Sequence, residues 1–501
     1  MRKKSLLLLI VAVATVIFFS NCRINPIDDI KTDNLNQEWA IPLIDTKKSF
    51  GDIINGFDPK AFIQIGTDST VILRYKGNYI TQSSLDIFAN FRNVSFPILD
   101  STMAVPFSLP SGVHIDYVDV KKGTLRWGIA PASEPLNVTI YIPQLTKNGV
   151  EFRRNFNHNG ITLDTLEMAG WRLAAKNDSI FIYTTAHKIS NNQSFNLKGG
   201  GAYQIQNFEF AYAKGYFGQS IFDGPKDSIA IDFFDKWKNG NVYFDNPRMI
   251  ITLDNSFGVP VRSVMKQGEV ITLDGRRLTL QSPLTAGVDI NYPKINEVGQ
   301  SKRTVVVFDK TNSNIAEIMS SNPVGIQYDI DGLVNPDQNR NIIGFMTDSS
   351  KFELQVEVEV PMIGRAKGFE VNDTFNINLS NATDITQAEF KVITDNGMPI
   401  DLSVQGYFAS DKGSIIDSLY ATKSPILRGA PVNNLGLPTS LTTTENLVTI
   451  SAEKLKKIRT ASKLIIRYAF STTNNGSVPV KLTSSQNVRV RIGVKFGLKT
   501  Q

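Results

Sequence analysis

Near the end of the chain stands Val488-Arg489-Val490-Arg491-Ile492-Gly493-Val494-Lys495-Phe496. Val488, Val490, Ile492, Val494 and Phe496 share one parity, and Arg489, Arg491, Gly493 and Lys495 share the other. Successive side chains of an extended chain point to opposite faces, whereas a helix repeats every 3.6 residues. Alternation this strict buries one face only as a strand. The same signal recurs upstream in Thr70 to Tyr75, Leu136 to Ile142, Gln204 to Ala213, Met249 to Leu253, Phe352 to Val360 and Pro399 to Phe408. Each run is bounded by Gly, Asn, Asp or Pro, the residues that interrupt strands. Helical patterns are few and brief. Ser451 reads as an N-cap for Ala452 to Ala461, Ser313 as one for Asn314 to Met319, and Ser49 as the start of a turn through Ile54. The expectation is a mainly β protein of tandem antiparallel β-sandwich-like domains with a few short helices.

Three times a strand runs into an Asn and Gly stretch, and a proline then opens the next strand. The stretches are Asp254-Asn255-Ser256-Phe257-Gly258-Val259-Pro260, Asp395-Asn396-Gly397-Met398-Pro399 and Asn474-Asn475-Gly476-Ser477-Val478-Pro479. Asn and Gly accept the positive φ of tight reversals, and Pro is tolerated at the first residue of a strand. The pattern reads as one hairpin reused in successive sandwiches. Its prolines are 139 and 80 residues apart (399 − 260 and 479 − 399), which excludes a fixed-period solenoid. The element resembles the strand-Asn-Pro-strand unit of late-embryogenesis-abundant-type sandwiches, which implies fold and nothing further. Boundaries placed at Gly199-Gly200-Gly201 and near Gly364 to Gly368 give β-rich units at 39–200 and 201–365 and a basic C-terminal one at 366–501.

The other end carries an address. Residues 1–21 comprise a basic start (Arg2, Lys3, Lys4), an apolar run from Leu6 to Phe19 and then Ser20 and Asn21, the order of a secretory signal. That run falls short of the roughly 20 residues a bilayer-spanning helix needs. The chain's single cysteine, Cys22, follows at the cleavage point, so an internal disulfide is excluded and lipidation gives the thiol a purpose. Phe19-Ser20-Asn21-Cys22 resembles a bacterial lipobox, with Asn21 departing from the usual small residue. That resemblance implies acylation of Cys22, and Arg23 in the following position implies passage to the outer membrane rather than retention at the inner one. Residues 22–38 are then a lipidated, proline-bearing tether.

A net charge of +6 invites a nucleic-acid reading, which arithmetic removes. Arg2, Lys3 and Lys4 leave with the signal, and residues 452–501 hold eleven Lys or Arg against Glu453, or +10. Residues 22–451 therefore sum to 6 − 3 − 10 = −7. A basic tail on an acidic body makes anionic partners a reading for Arg489, Arg491 and Lys495, beside a second one in which these cations blunt an exposed sheet edge.

Residues for catalysis are sparse. His114, His158 and His187 are widely spaced, without acids at metal-ligand spacing, and no nucleophile elbow, phosphate loop or dinucleotide fingerprint occurs. Asp329, Asp331, Asn335, Asp337, Asn339 and Asn341 crowd together, but a calcium-loop register from Asn335 puts Arg340 where glycine must turn and Met346 where glutamate must close the shell. Asp232 and Asp235 would point to opposite faces of an extended run, so they do not form a glycosidase pair. No enzyme and no cofactor is read. Asp-Ser or Asp-Thr before an apolar residue or Thr recurs six times, resembling the O-glycosylation acceptor pattern of exported Bacteroidota proteins. The resemblance implies Ser69, Ser101, Thr165, Ser179, Ser228 and Ser418 as acceptors, while Asp-Ser also makes a hydrogen-bonded turn ahead of a strand.

Trp39 to Ile54 (WAIPLIDTKKSFGDII) and Gly215 to Val261 resemble segments of large Bacteroidota-type outer-membrane lipoproteins. The resemblance covers about a fifth of the chain and brings no catalytic residues. It implies a lipid-anchored cell-envelope protein acting by binding, as scaffold, adhesin or accessory subunit, with the membrane and an envelope protein or glycan as partners. The alternatives are a glycan-binding lipoprotein of an uptake system, marked by an exposed row of aromatics, and a carrier of an apolar ligand, marked by a deep apolar cavity.

Overall fold

The computed structural model describes residues 38–54, 62–78, 80–84, 91–107, 109, 112–219, 221–222, 226–231, 240–377 and 385–498. The signal segment, Cys22 and the tether up to residue 37 lie outside the described residues, as do Asp232, Asp235, Trp237 and the side chain of Phe496. Among the described residues strand accounts for 60% and helix for 6%. The strand Asn487–Leu498 buries Val488, Val490 and Ile492 and turns Arg489 and Arg491 outward, as its parity requires. The mainly β, antiparallel, sandwich-like reading is therefore borne out.

The strands form three sandwiches that the chain threads in nested order. The terminal sandwich holds both the first and the last described strand. Its first sheet runs Glu38–Ser49, Asn487–Leu498, Ile385–Asn396, Thr442–Ile450. Its second runs Phe369–Asn376, Lys463–Thr472, Ile400–Ala409, with Ile415–Ser418 and Ser424–Leu427 on the far edge. Val392, Val404, Ile466, Tyr468, Val490 and Ile492 fill the space between.

The middle sandwich begins with Phe62–Ile65, Val71–Lys76 and Ile80–Ser83 and is completed only by strands after residue 220. Lys351–Pro361, Arg248–Asn255 and Lys302–Phe308 extend the first sheet, while Pro323–Val334 and Val261–Thr272 form the centre of the second. Between those two passages the chain builds the inner sandwich, a ten-stranded sheet around His114–Ile129 and Gly201–Tyr216. This sheet folds back on itself. Thr184 on Ser179–Lys188 meets the Tyr203 hydroxyl at 2.6 Å in the core, although their strands are not neighbours. Burial pushes the Tyr203 phenol up to about 12, so it stays neutral there.

The sheets cross both expected boundaries. Gly199 to Gly201 is no linker: Gly199 N–H donates to Ile98 O at 2.7 Å, and the Gly200 and Gly201 carbonyls accept from Ala130 and Ile98 at 2.8 Å each. A Cβ on Gly201 would lie 2.5 Å from the Gly128 carbonyl oxygen, so glycine marks close strand approach there rather than flexibility. The strand that follows, Gly201–Tyr216, pairs with His114–Ile129 almost end to end. At the second boundary, Ile363–Lys367 pairs with both Asn241–Phe244 and Val480–Lys481, which ties the middle sandwich to the terminal one. Gly344–Thr347 likewise adds a strand to the inner sheet at Gly201–Tyr216.

The three Asn and Pro elements are not hairpins. Arg248–Asn255 and Val261–Thr272 lie in different sheets, as do Ile385–Asn396 and Ile400–Ala409, and Lys463–Thr472 and Val480–Lys481. Each is a corner that carries the chain across a sandwich or joint. Asn255 and Asn396 are fully buried at two of them. Their Oδ1 atoms accept the N–H two residues on, from Phe257 and Met398, at 2.9 Å each. A side chain thus supplies the hydrogen bond that leaving the sheet forfeits.

The helices are short. Ser451 caps Ala452–Ile458, accepting from Lys454 N, and Ser49 exchanges hydrogen bonds with Asp52 at the head of Phe50–Ile54. The N-cap position of Ile315–Met319 is Asn314, whose side chain makes no cap bond; Ser313, one residue earlier, accepts from Ile315 N at 3.4 Å and donates to the Asp309 carbonyl at 2.7 Å.

Candidate binding face

In the inner sandwich four neighbouring strands, Thr102–Pro106, Ser179–Lys188, Leu136–Lys147 and Val150–His158, form one half of the folded sheet. One parity of each is buried: Ile180, Ile182, Thr184 and Ala186 on one strand, Leu136, Val138, Ile140 and Ile142 on the next. The other parity must face outward, and register places it in rows. Thr102, Tyr183, Tyr141 and Arg153 form the first row; Thr185, Thr139 and Asn155 the second; His187, Asn137 and Asn157 the third.

The Tyr141 and Tyr183 rings lie 5.9 Å apart, tilted by 34°. Arg153 places its guanidinium 4.1 Å from the Tyr141 centroid, an arrangement that the ring's quadrupole favours. Glu151 accepts from the Tyr141 hydroxyl, and that bond holds the phenol above its usual range. Among the described residues no cation covers Tyr183, so its half-exposed ring is the open aromatic surface. Asn137 donates to Asn157 at 3.1 Å. Among the described residues the side chains of Thr139, Thr185 and Asn155 have no hydrogen-bond partner, which leaves them to water or a ligand. Phe181 prolongs the aromatic edge, its backbone fixed by Gln144, which accepts from Phe181 N at 2.7 Å and donates to Ser179 O at 3.0 Å.

A second aromatic strip lies elsewhere on the same sandwich but leads into a joint. Tyr212 sits between Tyr117 and the buried ring of Phe345, and a Cβ on Gly258 would lie 2.2 Å from that ring. This strip packs the inner sandwich against the middle one. A cavity of about 260 Å³ in the middle sandwich is lined by Lys226, Asp227, Ser228, Gln267, Gln327 and Tyr328. Its lining is polar, unlike that of an apolar carrier, and burial beside Asp227 drives the Tyr328 phenol well above its usual range.

The residues singled out in the sequence are scattered. Arg489 holds Asp45 in a two-pronged pair at 2.8 and 2.6 Å, and Arg491 donates to Asp395 at 2.7 Å, so both guanidinium groups already have carboxylate partners. Lys495 lies on the same strand. Lys457, Lys463 and Lys481 likewise meet Asp417, Asp411 and Asp68. The basic tail and acidic body are thus one folded unit whose charges pair across it.

Asp329 and Asp331 face Lys226 and Lys266, and Asn335 accepts from Asn339 N, closing the crowded loop with side-chain turns. Among the described residues no group of three His, Cys, Asp or Glu side chains is placed to hold a metal ion. His158 is fully buried between Thr162 and the Ala130 carbonyl; His114 bonds Asp178, and His187 lies in the third row of the face. Phe208 and Phe210 are core. Of the Asp-Ser and Asp-Thr triplets, Ser101, Thr165 and Ser228 are exposed, while Ser69, Ser179 and Ser418 are half-buried. Asp68 accepts the Thr70 N–H two residues on at 3.1 Å, the turn bond that Asp-Ser suggests, whereas Asp100, Asp164 and Asp417 accept the N–H of the next residue, the last two from within the strands Thr162–Glu167 and Ile415–Ser418.

No family model and no curated protein matches the chain. Among solved structures, a protein of Parabacteroides distasonis described as secreted is similar over 93% of this chain and 100% of its own, at 12% identity and a TM-score of 0.28. The infectious bursal disease virus Gx strain structure matches at 9% identity over 88% of this chain and 82% of that one, TM-score 0.14. The Sulfolobus turreted icosahedral virus matches at 9% identity over 91% and 96%, TM-score 0.12. At these scores the likenesses assign neither fold nor function. The pairing itself defines the class: an antiparallel, mainly β protein of nested sandwiches.

Proposed function

We propose that this chain is a lipid-anchored binding protein of the bacterial cell envelope, held at the outer membrane through Cys22 and acting by recognition rather than catalysis. The observation that carries the reading is the threading. Strand Glu38–Ser49, the first after the tether, is laced to Asn487–Leu498 along its length, so the terminal sandwich is the root of the molecule. The inner sandwich, with its row of outward aromatics and amides, is the last unit reached from that root. No helix among the described residues is long and apolar enough to cross a membrane, and the signal-like segment with its lone cysteine supplies the anchor.

The test is phase partitioning of whole cells in a cloud-point detergent, followed by protease shaving. The native protein enters the detergent phase, and Cys22→Ala moves to the aqueous phase or persists as an uncut precursor. Detergent partitioning that Cys22→Ala leaves unchanged refutes the lipid anchor.

A further inference from the structure

From the outward face of the inner sandwich we infer a binding site for a neutral saccharide chain, centred on Tyr183 and running along the strands toward His187. The inference rests on the reading of that face as the protein's binding surface and adds the class of its ligand. A flat ring with an open face stacks on the C–H face of a pyranose, while hydroxyls and amides beside it exchange hydrogen bonds with the sugar's equatorial groups. Both parts are present, and in order. Tyr183 lies in the first row, the unpartnered Thr185, Thr139 and Asn155 make up the second, and Asn137 lies in the third.

The dimensions suit an oligosaccharide rather than a single sugar. Two residues separate successive rows, about 7 Å, so the three rows span about 14 Å along the strands and about 10 Å across three of them. Charge complementarity decides against acidic glycans and nucleic acid. Arg153, the cation of the first row, is stacked on Tyr141, and Glu151 beside it cancels its charge, leaving a neutral, hydroxyl-rich surface. A protein partner would be expected to bury a more apolar centre with aromatic anchors in pockets, and this face offers two adjacent half-exposed tyrosines with rows of polar groups beside them.

The experiment is affinity electrophoresis of the full-length protein, with native gels containing xylan, glucomannan, amylopectin or laminarin, and polygalacturonate or heparin as anionic counterparts. At least one neutral polymer should retard the protein. Tyr183→Ala should weaken that retardation at least ten-fold and the Thr139→Ala, Asn155→Ala double variant several-fold, both with unchanged circular dichroism. Tyr212→Ala, on the strip that leads to the joint, should leave it unchanged. Retardation by anionic polymers alone, or a neutral retardation that Tyr183→Ala leaves intact, overturns the inference.

A photo-crosslinker at position 185 separates the two levels of the argument. Crosslinking to an envelope protein with no retardation by any polymer overturns the saccharide and leaves the face as a binding surface. Neither crosslink nor retardation overturns both.

Discussion

Replacing Asn396 with alanine should unfasten the corner between the two sheets of the terminal sandwich. The Asn396 side chain is fully buried and makes three hydrogen bonds: it accepts from Met398 N at 2.9 Å and donates to the Ile400 and Arg428 carbonyls at 3.0 Å each. Alanine removes all three and leaves an N–H in a buried residue without its acceptor. A buried group left unsatisfied costs about 1–3 kcal/mol. Because the two carbonyls belong to residues that are not fully buried and can regain some hydration, the sum is about 2–4 kcal/mol. For a unit of this size each kcal/mol lowers the transition by about 2–4 °C, so the shift expected is about 4–16 °C.

Asn475→Ala is the control. Asn475 occupies the third corner at φ 58°, exposed, and alanine there meets only the left-handed backbone penalty of about 1 kcal/mol. Differential scanning calorimetry resolves the transition of the terminal sandwich, since separate sandwiches need not melt together. Hydrogen exchange over Ile400–Ala409 locates the loss. If Asn396→Ala shifts the melt no more than Asn475→Ala, the buried side chain is not what holds the corner.

Two further outcomes follow from the same sandwich and its joint. Asp45 and Asp68 have carboxyls held below the usual range, chiefly by hydrogen bonds from Arg489 and Lys481 respectively. A lowered folded-state pKa contributes stability that is complete above the unfolded value of about 3.9 and is lost as pH falls through the folded one. The terminal transition should therefore begin to drop as pH falls to about 4 and keep dropping below about pH 3, and Asp68→Asn should flatten that drop; a slope identical to that of the native protein removes the pair from the account. Gly364→Ala would set a Cβ 1.9 Å from the Tyr243 carbonyl oxygen in the three-stranded joint. Overpacking against backbone costs about 1–3 kcal/mol or more, so protease cleavage near Asn241–Phe244 should accelerate, and an unchanged cleavage rate would contradict the close approach.

What could be read from the sequence and what could not divide along a physical line. Parity is local: Val488, Val490 and Ile492 announce a buried face whatever strand lies beside them. Pairing is not local. Nothing in Thr46 or Lys47 says that their partners are Val490 and Arg489, more than 400 residues on, so boundaries placed at glycine-rich points cut through sheets. The Asn and Pro corners were legible as reversals, but turn chemistry fixes the bend and not the sheet the chain enters next. Asn255 and Asn396 are buried because they replace a ladder bond, a role invisible without the sheet. The binding face left a faint signal. The outward parity of 137–141, 151–157 and 181–187 reads Asn-Thr-Tyr, Glu-Arg-Asn-Asn and Phe-Tyr-Thr-His, poor in the lysines that normally solvate a sheet. Only register brings the three strings side by side.

The nesting of the three sandwiches, with the anchor end laced to the final strand, is tested most directly by a crosslink. In a Cys22→Ala background, cysteines at the register partners Lys47 and Arg489 should sit within the separation a disulfide spans and oxidise readily to a closed form of altered mobility. A pair displaced by four residues, Lys47 with Gly493, should not. Equal oxidation of both pairs, or of neither, would mean that the first and last strands are not partners and that the chain does not return to its root.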